Sequence, residues 1–442
     1  MRRSLVSLVL LPVLGALAAC SGGGHPQAER RPLDNPGDHV LGIVWREDSA
    51  ALVRLASGSL APASKPLALG HDGETWSFSP DHARLALAGG QPLEVRIVEA
   101  RRMKAVGVVR LSGGPVSLPT QANVIALAWS SPNRVLALLE WGAWKHAVVV
   151  VDALERHVLS REPIAGTLVA EARTRGGLAL LLAPRARIGP ARLLLVDAAG
   201  RERSISRLET GAGLFPIDPD SNDELARIRS LALAVDPAGR RALVIPGEGP
   251  VADVDLVTGR VSYRTVRETV SLLGRLRAWL EPEAEAKAQD GPTRQAVWVA
   301  KDLVAVTGQD AAAAGRAGHE QETTTPAGLS LIDTRRWTKR TLDEHASQLS
   351  VSNGALLAYG TSWNSRTQVT KGMGLTAFGL DGKKRFHLFG DEPIYYMQTA
   401  GRYAYVWREQ DAPATVDLRT GRVVRELSRY RRTDIPALVS SR

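Results

Sequence analysis

Cysteine is nearly absent from this chain: Cys20 stands alone among 442 residues. Everything after it is thereby excluded from disulfide bonding, thiolate catalysis and cysteine-based metal binding. The nine histidines are dispersed, with no pair at i,i+4 or i,i+2 spacing, so no local metal-ligand pattern exists. The serine elbow G-x-S-x-G is missing, and without it a serine hydrolase has no sequence support. No glycine-rich phosphate loop is present either, since the Ser21-Gly22-Gly23-Gly24 stretch opens no strand-to-helix turn. Lys and Arg exceed Asp and Glu by 56 to 46 but are scattered, apart from a cluster at residues 425–432. The concentrated basic stripe of a nucleic-acid binder is lacking, and no nucleic-acid partner is expected. A dispersed basic balance instead suits anionic headgroups or anionic polymers.

What is present begins at the N-terminus. Arg2 and Arg3 precede an apolar run over residues 5–19, which ends in small residues before Cys20. This is the layout of an export signal, and the run is shorter than the roughly 20 residues a spanning helix needs. Leu17-Ala18-Ala19-Cys20 resembles the lipobox of bacterial lipoproteins. The resemblance implies cleavage before Cys20, acylation of its thiol, and a chain held to a membrane by that lipid. Residues 1–19 are then the signal peptide, residues 20–37 a flexible polar tether, and residues 38–442 one folded domain. The expected address is the outer side of the cell membrane, or the periplasm or outer membrane of a diderm.

That domain repeats itself. "VDLVTGRV" at residues 254–261 returns as "VDLRTGRV" at 416–423, and six weaker copies begin at Val53, Val98, Val151, Val196, Ile332 and Phe378. Successive spacings are 45, 53, 45, 58, 78, 46 and 38 residues. With insertions allowed for, the period is that of a four-stranded propeller blade. Apolar runs upstream of each copy, such as "IALAWSSPNRVLALLE", supply two further strands through a Pro, Asp, Asn or Gly turn. The first repeat lacks an inner strand ahead of "HVLGIVW", while "DIPALVS" is left over at the C-terminus. The expected fold is all-β: a β-propeller of four-stranded blades, eight in number with seven as the other count, closed by a C-terminal strand.

"SPDHARLAL" at residues 79–87 resembles the signature of Tol-type, WD40-like bacterial propellers, and the "VD..TG.V" turns are similar to those of quinoprotein-like propellers. These likenesses imply architecture more than activity. A quinone cofactor is not expected, because the tryptophan such propellers place after each "TG" turn is replaced here, with Trp337 a lone exception. No cofactor and no metal is assigned. The acidic stretch Asp218, Asp220, Asp223 and Glu224 lacks the ordered spacing of a calcium loop.

In a propeller, the turns between first and second and between third and fourth strands share one face. Here the third-to-fourth turns are all short, and the long insertions at residues 209–227, 267–292 and 309–328 fall on the other, decorated face. The insertion at 267–292 reads as helical, with Val266, Val270, Leu273 and Leu280 along one stripe and Pro282 ending it. Trp141, Trp144 and Trp363 lie in polar loops of that face, where tryptophan marks recognition surfaces. Trp76, Trp129, Arg173, Asp236, Trp298 and Tyr396 fall on inner strands near the central funnel, the default ligand position of the fold. Each also has a core or channel-filling reading. The functional expectation is a monomeric, membrane-anchored binding or scaffolding module for a protein or envelope polymer. The alternative is a propeller enzyme of hydrolase or lyase type acting on a small substrate or glycan in the funnel.

Overall fold

The computed structural model describes residues 39–46, 49–69, 75–89, 92–112, 122–141, 145–185, 188–214, 228–269, 289–314, 321–364, 369–408, 412–427 and 436–439. The signal and tether assigned to residues 1–37 lie outside this set. The described residues form eight sheets arranged as the blades of a β-propeller. Blades two, three, five and eight are four consecutive antiparallel strands each, as in Asn123–Ser131, Arg134–Trp141, Lys145–Asp152 and His157–Ala165 of blade three, and blade seven has four whose second and third are separated in sequence by a hairpin. Blades four and six carry extra strands.

Blade one is assembled from both ends of the chain. Its inner strand is Ala437–Val439, paired with His39–Arg46, which in turn pairs with Ser49–Ala56 and so with Leu67–Ala68. The leftover C-terminal segment therefore fills the place that the first repeat leaves vacant, and eight is the blade count.

Eight apolar clusters hold the ring, one at each contact between neighbouring blades. The second strand of blade three shows how alternation builds them: Val135, Ala137 and Leu139 face blade two, while Leu136 and Leu138 face blade four. Burial on both faces is why such strands read as unbroken apolar runs rather than as alternating ones. The last cluster joins blade eight to blade one through Tyr403, Tyr405, Trp407, Val40, Val53, Leu55 and Leu438. At the rim the pattern ends, and Arg422–Glu426, the outer strand of blade eight, is exposed at every residue.

The repeated octapeptide is scaffold. Val251–Asp255 is a third strand and Val261–Arg264 a fourth; between them Asp255 Oδ1 accepts from the N–H groups of Val257 at 2.8 Å and Thr258 at 3.0 Å. Gly259 closes the turn at φ 74°, a left-handed conformation that glycine adopts without steric cost. Asp152, Asp333 and Asp417 repeat the carboxylate contacts in blades three, six and eight. "SPDHARLAL" is the corresponding first-to-second turn of blade two. Ser79 Oγ donates to Asp81 Oδ1 at 2.6 Å and accepts from the Arg84 N–H at 2.9 Å.

These turns predict an acid limit to stability. The Glu155 N–H does most to hold Asp152 below its ordinary value of 3.8, the Thr258 N–H does the same for Asp255, and the Ser79 hydroxyl for Asp81. A depressed carboxylate contributes stability above its unfolded value and loses it as the pH falls through the folded one. The thermal midpoint is therefore expected to stay level from neutral pH down to about 5 and to fall steeply below about 4. Calorimetry across that range checks it; a midpoint that rises on acidification contradicts the assignment.

The described residues contain no helix. Most of the stretch expected to be helical, residues 270–288, lies outside them, and its two ends are strand. Arg267–Glu268 pairs in parallel with Thr338–Lys339 on the rim of blade six, and residues 289–292 belong to the inner strand Gln289–Ala300.

Candidate functional site

On the decorated face, the insertions of blades six and seven become sheet rather than loop. Leu303–Ala314 runs past the end of its blade, still paired with Gln289–Ala300 on one side, and turns back as Gln321–Pro326 on the other. The crossing at Gly308 requires that residue. A Cβ there would lie 2.4 Å from the Thr293 carbonyl oxygen, so any side chain would force the strands apart. Above this point Arg294 pairs with Asp310, and Thr293 Oγ1 donates to Gln309 Oε1 at 3.1 Å.

Thr324 then pairs with Trp363, which joins the protrusion to Thr361–Asn364, and that strand pairs with Val369–Gly372. Five strands thus run continuously outside the ring from blade six across blade seven. Ser347 anchors the second hairpin, its Oγ accepting from the Thr361 N–H at 3.3 Å. Gly372 fits it against blade eight, since a Cβ at that position would meet the Glu392 carbonyl 2.2 Å away. Val369–Gly372 has no further strand beside it among the described residues and is the edge of this sheet.

The sequence-derived residues separate into three groups. Trp363 contributes its backbone to the protruding sheet. Trp141 ends a strand of blade three, half-buried against the core between blades two and three; Trp144 lies outside the described residues. On the inner strands, Trp129 is 7% exposed and donates through Nε1 to the Ser77 carbonyl at 2.8 Å, tying blade three to blade two. Trp76 packs into the core between blades one and two. Tyr396 packs into that between blades eight and one, its ring 5.2 Å from Trp407. Trp298 is buried between blades five and six. Trp129 and Trp298 are thus buried, and Trp76 and Tyr396 half-buried, against the cores between blades.

Asp236 is not in the funnel. It caps the first-to-second turn of blade five, its Oδ1 accepting from the N–H groups of Arg240 at 2.6 Å and Arg241 at 2.8 Å. Arg173 is the funnel's distinctive charge. From the inner strand of blade four it reaches past blade three to donate to the Trp76 carbonyl at 3.0 Å. Burial pulls its guanidinium below the ordinary value, and the Glu171 carboxylate opposes that shift.

Two arrangements escape sequence reasoning because they join distant positions. Arg241 grips Asp253 with two bonds of 2.6 and 3.0 Å while lying over Trp298 at 5.6 Å and Trp337 at 5.4 Å, an ionic and cation–π lock between blades five and six. This also accounts for the isolated Trp337, which holds φ 55° at the turn position that Gly259 occupies in blade five. His146, 2% exposed, pairs across strands with Glu140, its Nε2 3.5 Å from Glu140 Oε1. Its only signal in sequence is the polar "EWGAWKH" between two apolar runs. No group of three or more His, Cys, Asp or Glu that could hold a metal ion converges among the described residues.

No protein-family model and no curated protein matches the chain. Solved structures do. Dihydro-haem d1 dehydrogenase NirN is similar with a TM-score of 0.51 and 14% identity over 97% of this chain and 80% of that one. The likeness is one of fold. The computationally designed Ika8 protein has a TM-score of 0.44 and 13% identity, covering 80% of this chain and 85% of its own. BamB from Moraxella catarrhalis has a TM-score of 0.42 and 11% identity, with 86% and 94% covered. Identities this low carry neither substrate nor partner across to this chain.

Proposed function

We propose that this protein is an exported propeller, lipid-anchored through Cys20, that serves as a binding and scaffolding module for a protein or polymer of the cell envelope. The observation that carries the reading is the five-stranded sheet on the decorated face. A ring whose insertions are ordered into sheet, ending on an open strand edge, presents backbone groups suited to strand addition by a partner segment. The enzymatic alternative lacks a comparable support. Glu171 is the one carboxylate within the ring portion of the described inner strands, and no histidine stands on them, so an acid and base facing across the funnel have no candidates there.

The test uses the full chain and a variant whose hairpin 311–324 is replaced by a short turn, each cross-linked in cells and purified. One envelope partner retained by the first and lost by the second is expected; identical profiles from both sink the reading. The anchor is tested separately. Cys20→Ser is expected to make the protein extractable from membranes by high salt, whereas retention through that wash defeats lipidation at Cys20.

A further inference from the structure

The two faces of the ring differ in charge as well as in shape. The plain face is built from first-to-second and third-to-fourth turns, and between its strands stand fourteen Lys and Arg against six Asp and Glu. Exposed arginines at the third-to-fourth turns include Arg102, Arg156, Arg201, Arg260, Arg336 and Arg419, spread over six blades. Arg175, Arg240, Lys301 and Arg402 add exposed cations from the first-to-second turns. Four aspartates that end third strands, Asp152, Asp255, Asp333 and Asp417, do not cancel the excess, and their carboxylates are turned back on turn N–H groups. Arg201 leans on Asp197 at 3.1 Å and Arg102 on Glu99 at 3.4 Å, but pairs this exposed leave the cations open to an external anion. The decorated face differs. Between its strands the described residues hold Arg185 against Glu248, Glu344, Asp391 and Glu392.

The chain enters the domain on this same basic face. His39 pairs with Ala56, the last residue before the plain-face turn of blade one. The segment that connects Cys20 to the domain therefore joins it on the cationic side, and its nineteen residues span at most about 65 Å when fully extended.

We infer that the plain face is a membrane-docking surface for anionic phospholipid, its arginines engaging headgroup phosphates while the decorated sheet is held outward. Charge complementarity and the point of chain entry select the same face. The orientation rests on the lipid-anchor reading; the affinity for anionic bilayers does not, and this separates the two experimentally.

The mature chain carrying Cys20→Ser is mixed with vesicles of phosphatidylcholine alone or of phosphatidylcholine with phosphatidylglycerol, and sedimented. Binding to the anionic vesicles alone is expected, weakening as salt is raised. The triple variant Arg156→Glu, Arg201→Glu, Arg260→Glu is expected to bind at least about a hundredfold more weakly, at roughly fivefold for each arginine lost from the surface. The matched decorated-face triple Lys145→Glu, Arg185→Glu, Lys371→Glu, with the same net charge, is expected to bind as the parent does. Circular dichroism confirms that both variants are folded. Equal binding to both vesicle types, or equal loss in both triples, overturns the inference. So does preferential capture by a soluble anionic polymer such as polyphosphate, which would make the partner a polymer. If Cys20→Ser frees the protein in cells and no vesicle binding is seen, the anchor stands and this inference fails. If vesicle binding follows the plain-face triple while Cys20→Ser resists a high-salt wash, the docking face stands and the anchor fails.

Discussion

A chain ending at Thr433 is expected to lose cooperative unfolding near the midpoint of the full protein. It lacks the inner strand of blade one, whose Leu438 and Val439 are 3% and 2% exposed and pair with Gly42 and Leu41. Re-exposing two such side chains costs about 3–6 kcal/mol, a large part of the 5–15 kcal/mol that usually separates folded from unfolded chains. The truncation also opens a sheet edge facing the funnel and removes the Pro436 carbonyl to which Gln398 Nε2 donates at 3.4 Å. A smaller substitution reads the same joint. Tyr405 is fully buried, and its hydroxyl donates to the Ser57 carbonyl at 2.6 Å, clasping blade eight to blade one. Tyr405→Phe strands that carbonyl and is expected to cost about 1–3 kcal/mol. Urea unfolding followed by tryptophan fluorescence measures both; a truncated chain as stable as the parent would show that the ring closes without its terminal strand.

Trp129→Ala is expected to destabilise the protein by about 3–5 kcal/mol, the usual cost of emptying a buried aromatic site. The side chain sits among Val124, Leu127, Val135 and Ala137, and its Nε1 bond to Ser77 is one of two polar links between the inner strands of blades two and three, the other running from Thr75 Oγ1 to the Val124 carbonyl at 3.0 Å. Trp129→Phe keeps most of the volume and loses the bond, so a drop of about 1–2 kcal/mol is expected. The contrast between the two substitutions separates packing from hydrogen bonding. If Trp129→Ala left the unfolding midpoint unchanged, the ring would not be core and a ligand role in the funnel would regain its case.

Trp129 also shows where sequence reading stops. An inner-strand tryptophan in a propeller repeat is legible as such, because alternation and the repeat period place it. Whether its ring turns toward the funnel or the neighbouring blade depends on the twist of two strands 52 residues apart in sequence. Asp236 illustrates the same limit more sharply. It follows an apolar run, as a funnel residue might, but an aspartate one step past a strand and before "PAG" also fits a turn, and the backbone N–H groups of Arg240 and Arg241 claim it. The ordering of insertions into sheet was hidden for another reason. The alanine-rich and threonine-rich halves of residues 309–328 show weak alternation on their own, and they are strands because each finds the other and then Trp363 of the next blade.

By itself the sequence determined the repeat, the four-stranded blade, the C-terminal closure and the division into a plain and a decorated face. These follow from local rules: apolar runs make doubly buried strands, and Asp-x-x-x-Gly makes the turn between them. Tertiary structure alone decided which tryptophans are core, that Arg173 crosses from blade four to blade two, and that the protruding strands join into one sheet. It also gathered arginines dispersed over the chain onto a single face. Side-chain direction and cross-blade contact depend on ring geometry, which brings together residues that no local pattern relates.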